Sequence, residues 1–299
     1  MTRSSPLSVP AVDPAGVSVA GTPAGLTPRP HPTVEIRTLR TIEECEACVA
    51  LQRHVWGFEP TDVVPVTLLH VVDYVGGLAA GAFDASGELL GFVFGVSGVR
   101  DGELVHWSHM LGVRESARNL GLGRMLKEHQ RAALAALGIR RVFWSFDPLM
   151  AKNAYFNFNR LGASVVEYVP DMYGTTASPL HLGLPTDRIV VTTSTSAVET
   201  DGHQSRTGPL PLLSPFPKEG DEVLEPRDRL PESILIEVPS DILAITRRSL
   251  PIARQWRLAV RDHFRWALSN GYDVVSVRRD APADREFYVL TRSGGATKA

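Results

Sequence analysis

The chain has 299 residues, a net charge of -2, 43% hydrophobic residues and 21% charged ones. That balance is ordinary for a globular protein and argues against nucleic acid or an anionic membrane as the main partner. No run approaches the roughly 18 apolar residues of a membrane span. The length exceeds one compact core, so a domain of about 150–170 residues with an appendage is expected. Two cysteines cannot build a disulfide framework, and Pro6, Pro10 and Pro14 interrupt any signal-peptide core, so a cytoplasmic location is the expectation.

Residues 1–33 carry seven prolines among Ala, Ser, Thr and Gly. Such a segment buries too little surface to offset chain entropy and is expected to be a disordered arm. "VEIRTL" (34–39) alternates like a short strand. Thr41 and Glu44 form a capping box for a helix running to about His54. "TLLHVVDYV" (67–75) predicts another helix, and "GLAAGAFD" and "LLGFVFGV" predict two strands around a turn at Gly87. "ELVHWSHMLGV" (103–113) and "RVFWSFDPL" (141–149) are apolar strands. The helix between them places Met125, Leu126, His129, Ala133, Leu134 and Leu137 on one face and stops at Gly138, an order that favours a parallel crossover. A helix over 151–162 and strands over 163–169 and 187–197 follow. The Pro-rich stretch 198–231 is expected to be a linker. A strand (232–238), a helix (about 241–270, broken at Pro251) and strands over 273–279 and 286–291 complete a βαββ region ending at 293, before a short disordered tail.

"RNLGLGRML" (118–126) lies on the turn from strand to helix, where the first backbone N–H groups lack helical partners and face the positive end of the helix dipole. Gly121 and Gly123 remove the Cβ atoms that would keep an anion away, and Arg118 and Arg124 can add charge-assisted bonds. A pyrophosphate is the natural occupant; a connection that binds nothing is the plain alternative. A P-loop would need Gly-x4-Gly-Lys-Ser/Thr, and a dinucleotide fingerprint a third glycine where Leu126 stands. ATP would lack a lysine and a magnesium partner.

The pattern Arg-x-x-Gly-x-Gly, preceded by "HMLGV" and followed by "VFWSF" and "NAYFNFNRLGA", resembles the coenzyme A loop of the GNAT N-acyltransferase superfamily over residues 34–197. The blocks "SHMLGV", "FDPL…NAYFN" and "GLPTDR" look like a subgroup of longer members with a C-terminal extension. The resemblance implies an α+β fold: a mixed central sheet in which two parallel strands splay apart, with flanking helices. It implies acetyl-CoA or another acyl-CoA as cosubstrate, with the pantetheine arm in the gap. Leu111 and Val113 would contribute main-chain groups, and Arg118, Asn119, Leu120, Gly121, Leu122, Gly123 and Arg124 would hold the pyrophosphate. A main-chain N–H near Leu111 would polarise the thioester carbonyl. Asn153 would bind the pantetheine amide or cap its helix. A small-molecule amine or amino acid would be the acceptor of an acetyl or succinyl group, and a homodimer is allowed.

Direct transfer needs a base for the amine proton and can use an acid for the leaving thiolate. The fourth strand offers His106, Ser108 and His109 as candidate bases, and the fifth offers Asp147. Alternation puts His106 and Ser108 on one face and His109 on the other, and His109 is placed first. Histidines packed in their strand and a turn or cap role for Asp147 are the plain alternatives. Phe158 stands where the family often has a tyrosine, which leaves Tyr155 as the nearby phenol. "CEAC" (45–48) lies at helical spacing with Ile42, Val49 and Gln52, so packing explains both cysteines and no metal is expected. Arg254, Arg257, Arg261 and Arg265 share a face of the tail helix. A solvated face is the usual reading; the sharper one has Arg257 and Arg261 gripping a substrate carboxylate. The competing functional reading is a regulatory module that binds coenzyme A without turnover.

Overall fold

In a computed structural model, residues 34–57, 63–174, 183–196, 210–224 and 230–292 are described. The expected N-terminal arm, the C-terminal tail and much of the expected linker lie outside the described residues. The first sheet runs β1 (Glu35–Thr38), β2 (Leu78–Phe83), β3 (Leu89–Arg100), β4 (Glu103–Val113), β5 (Arg141–Phe146), β7 (Arg188–Ser194), β6 (Ser164–Val169) in spatial order. Every junction is antiparallel except β4–β5. That parallel junction follows from the crossover through α3 (Leu122–Ala136), since parallel neighbours cannot be joined by a tight turn.

The strands β4 and β5 pair only from Val105↔Arg141 to Trp107↔Phe143. β4 continues to Val113 and β5 to Phe146, so a wedge opens beyond Trp107. A bulge in β4 begins the opening: the register against β3 passes from Gly95↔Ser108 to Phe94↔Met110 and leaves His109 unpaired. Gly95 allows this packing, because a Cβ there would strike His106 Nε2 and the Trp107 carbonyl. This is the α+β architecture, with the splayed pair, that the resemblance implies.

One face of the sheet is covered by α1 (Ile42–Trp56) and α2 (Val66–Val71), which bury Cys45, Cys48, Leu51 and Leu69 against Phe92 and Phe94. The capping box is present as expected: Thr41 Oγ1 accepts from Glu44 N–H at 3.2 Å and Glu44 reaches back to Thr41 N–H. The other face is covered by α3, whose Leu122 and Leu126 meet Ala80, Ala82 and Val93. The expected apolar face of α3 is rotated from the observed one. Met125 and Leu137 are exposed, whereas Lys127 and Gln130 are buried.

The α4 helix (Ala151–Tyr155) runs on into a π-helical turn, Phe156–Arg160, in which Leu161 N–H donates to the Phe156 carbonyl at 3.0 Å. A regular helix was expected to Gly162. Asn157, drawn into the turn, accepts from the Trp144 indole N–H at 3.0 Å.

The C-terminal sheet has the order β10 (Tyr272–Asp280), β11 (Arg285–Arg292), β9 (Ser233–Val238), β8 (Leu212–Leu213). β8 lies parallel to β9 in the segment read as a linker. Its two leucines are buried, so the strand is held by packing too short to show as a periodic pattern. The tail helix is two helices, α5 (Ile242–Arg248) and α6 (Leu250–Ser269), with Pro251 in the first turn of α6 where its missing N–H costs nothing. Trp256, Val260 and Phe264 of α6 share one hydrophobic cluster with Trp144, Ala154, Phe158 and Tyr288, so the core is continuous between the two sheets. Phe158 meets Tyr288 edge-on at 6.0 Å, and the Tyr288 hydroxyl donates to the Pro148 carbonyl at 2.8 Å.

Candidate active site

The glycine stretch lies at the mouth of the wedge. Gly121, at φ 77°, is the N-cap of α3 and offers no side-chain cap. Arg124 and Met125 N–H groups turn back to the Gly121 carbonyl, which leaves the Leu122 and Gly123 N–H groups at the helix mouth. Asn119 also adopts a left-handed conformation, at φ 68°. A Cβ at Gly121 would meet nothing within 4 Å, so the approach is open. One at Gly123 would come within 3.6 Å of the Phe156 ring and 3.8 Å of the Leu111 side chain, so β4, the loop and the α4 turn converge here. Leu120 packs with Leu111 and Val113 in the cluster under α3. Arg118 and Arg124 are exposed, ion-paired with Glu115 at 3.4 Å and Glu128 at 2.7 Å. Exposed pairs of this kind are worth about 0.2–1 kcal/mol, so either arginine can leave its partner for an anion. Asn153 is exposed on the first turn of α4. The residues present fit a coenzyme A pyrophosphate.

At the closed end of the wedge lies a polar chain that the sequence reading missed. The Lys127 ammonium donates to Ser108 Oγ at 2.6 Å and Gln130 Oε1 at 3.3 Å, and stands 4.5 Å from the Trp144 ring centroid. Because lysine can only donate, Gln130 turns its amide nitrogen to His106 Nε2 at 3.1 Å. His106 therefore carries its proton on Nδ1, donates to Ser97 Oγ at 2.9 Å, and Ser97 donates to the Gly76 carbonyl at 2.5 Å. Burial pushes Lys127 down to about 7 and, with help from the Lys127 charge, His106 down to about 4. His106 is a satisfied core histidine. The signal for the chain was Lys127 and Gln130 at i, i+3 on α3, in step with His106 and Ser108 at i, i+2 on β4.

Alternation from Ser108 puts His109, left unpaired at the bulge, on the opposite face of the sheet, exposed, with its ring 6.2 Å from that of Phe94. Desolvation of the ring against its neighbours, then the charge of Arg188, lower the imidazole from its usual 6.5. Tyr155 is 40% exposed, with the Arg160 guanidinium 5.6 Å from its ring centroid.

Three expected site residues are engaged elsewhere. Asp147 is gripped through both oxygens by Arg257, at 2.8 and 2.5 Å, and Arg257 is 1% exposed in the buried stripe of α6. Arg261 takes both oxygens of fully buried Asp187 at 2.8 and 2.6 Å. Asp147 is thus no free base, and neither arginine is a free carboxylate clamp. A guanidinium this deep requires a carboxylate, and these two supply it. Cys45 and Cys48 are buried in the core, Cys48 within 3.9 Å of Gln52 Nε2.

No protein-family model matches the chain, and no curated protein matches it. Among solved structures, the ribosomal-protein-S18-alanine N-acetyltransferase of Escherichia coli is similar at 17% identity and a TM-score of 0.43, covering 56% of this chain and 98% of its own. A putative acetyltransferase of Salmonella typhimurium, solved with acetyl-CoA, is similar at 16% identity and a TM-score of 0.45, covering 56% and 96%. An aminoglycoside 6'-N-acetyltransferase complexed with coenzyme A is similar at 14% and 0.43, covering 55% and 98%. At these values the assignment stands on this chain's own strand order, bulge and loop.

Proposed function

We propose that this protein is an acyl-CoA-dependent N-acyltransferase of the GNAT type, acting on the amine of a small molecule with acetyl-CoA as the first donor to test. The observation that carries the reading is the coincidence of two features at one place. A glycine-capped helix mouth suited to a pyrophosphate lies at the open end of a wedge between parallel strands suited to an extended pantetheine arm. Asn119 to Arg124 hold the pyrophosphate, and the β4 main chain around Leu111 and Val113 faces the arm. An N–H beside the bulge polarises the thioester carbonyl.

The neutral amine attacks that carbonyl; an N–C bond forms, the C–S bond breaks, and the electron pair leaves on sulfur. His109 takes the proton from nitrogen, and the thiolate takes one from solvent or from Tyr155, giving the amide and the free thiol. Lost phenol at Phe158 does not forbid this, because a thiolate is a good leaving group. It does favour the second reading, a module that binds coenzyme A without turnover, should no acceptor be found.

Titration calorimetry with coenzyme A and with pantetheine, followed by thiol release from acetyl-CoA across an amine panel, tests the assignment. Coenzyme A binds at least about tenfold more tightly than pantetheine, Gly123→Val abolishes that difference, and release depends on acceptor. His109→Gln lowers kcat by about 10²–10⁴, and the acid limb of the wild-type kcat/KM profile lies below pH 6.5. Equal affinity for the two ligands would remove the pyrophosphate site and the reading with it.

A further inference from the structure

We infer that the acceptor amine carries a carboxylate and that Arg188 grips it, which makes the acceptor an amino carboxylate such as an α-amino acid. The inference rests on the N-acyltransferase reading and adds the substrate class.

Arg188 opens β7, and strand alternation turns it away from Asp187. Asp187 points to the side of α6, where Arg261 holds both its oxygens and the Tyr168 hydroxyl donates to Oδ2 at 2.7 Å. Arg188 points to the opposite side of the sheet, that of Ser145, whose cross-strand partner Val190 is two residues on. Its Nε donates to Ser145 Oγ at 3.3 Å, and its guanidinium carbon lies 5.3 Å from the centroid of the Tyr173 ring. The Tyr173 hydroxyl is 3.2 Å from the same Ser145 oxygen.

Among the described residues the half-buried Arg188 meets Ser145 and Tyr173 and no carboxylate. The half-buried guanidinium groups of Arg37 and Arg114 each have one, whereas those of Arg131 and Arg278 are taken up by the Ser196 carbonyl and the Phe287 ring. Among the described residues Ser145 engages only Nε, and the terminal NH2 groups present a planar fork that a carboxylate matches bidentately.

The setting is built rather than incidental. Asp171, at φ 47°, accepts from Thr186 N–H and Oγ1 at 2.9 and 3.1 Å, and Thr186 Oγ1 accepts from Tyr173 N–H at 2.9 Å. Asp171 N–H donates to Asp187 at 3.0 Å. Two loop segments are thereby braced so that Tyr173 and Arg188 converge on Ser145. The charge of Arg188 reaches His109, the base across the wedge, and lowers its pKa. In an α-amino acid one carbon separates carboxylate from amine, so a carboxylate on Arg188 directs the amine toward the bulge.

The full-length protein is assayed for thiol release from acetyl-CoA with amino acids, each run beside its own primary amide. The acid of each pair is favoured by at least about tenfold in kcat/KM, mostly through KM. In Arg188→Met this preference falls to about one, and Arg188→Lys restores part of it, while coenzyme A affinity by calorimetry shows that the variants are folded. Acids and amides used equally well, or a preference unchanged in Arg188→Met, would overturn the inference and leave acyl transfer standing. If no acceptor releases thiol, calorimetric binding of the amino acids to the coenzyme A complex still decides. Loss of that binding in Arg188→Met upholds the anion site while transfer fails, and no binding by wild type overturns it. Tighter binding of aminoalkyl phosphates than of amino acids would also overturn the carboxylate assignment.

Discussion

Lys127 shows how one side chain can report its surroundings. A buried ammonium with no carboxylate around it among the described residues is held by a hydroxyl, an amide oxygen and an indole face. Burial therefore lowers its pKa from 10.5 to about 7. The unfolded chain binds this proton below about pH 10.5 and the folded chain only below about 7, so stability falls as pH drops through that window and levels off beneath it. Each pH unit of the window corresponds to at most about 1.4 kcal/mol. Lys127→Met removes this contribution, and thermal melts between about pH 7 and 10 show a smaller decline toward neutrality than wild type. An unchanged slope would mean that the lysine is solvated. Nothing in the sequence singles out Lys127, because a polar side chain on an amphipathic helix reads as surface until its partners on β4 are known.

At the scale of elements, α6 docks through charge as well as through its apolar stripe. Asp147, just past β5, and Asp187, just before β7, face Arg257 and Arg261 one helical turn apart. Asp147→Asn alone or Arg257→Met alone leaves a buried group unpaired and costs about 3–5 kcal/mol, whereas the double variant costs clearly less than the sum. Urea denaturation of the four proteins measures this coupling, and additive losses would show that the pair does not act as a unit. The arginines of α6 were legible as a periodic row. Their partners were not, since 110 residues separate Arg257 from Asp147. Arg257 did carry a warning: it keeps step with Ala253, Val260 and Phe264, all of them buried.

At the scale of the molecule, the C-terminal elements complete the core beneath the seven-stranded sheet. Phe158 and Ala154 pack with Tyr288 and Phe264, the Tyr168 ring stacks on that of Phe264 at 5.6 Å, and Asn159 bonds both main-chain groups of Val277 at 2.8 and 3.0 Å. A fragment of residues 34–196 exposes this apolar surface. Expressed alone, it aggregates or melts without cooperativity in circular dichroism. A soluble fragment with a sharp melt and full coenzyme A affinity would show that residues 34–196 fold independently of the C-terminal elements.

Local rules sufficed for much of this. Strand alternation, the Thr41–Glu44 box, the break before Pro251 and the glycine-capped start of α3 each depend on residues within a few positions of one another, so these elements and the glycine cap could be read directly from the chain. Partner choice among charges could not. Which arginines are paired depends on which carboxylates the fold brings within 3 Å, and the contacts of Arg261 and Arg257, spanning 74 and 110 residues, leave no periodic trace. The bulge that leaves His109 unpaired and the π turn that engages Asn157 likewise exist only once neighbouring strands and helices press on them.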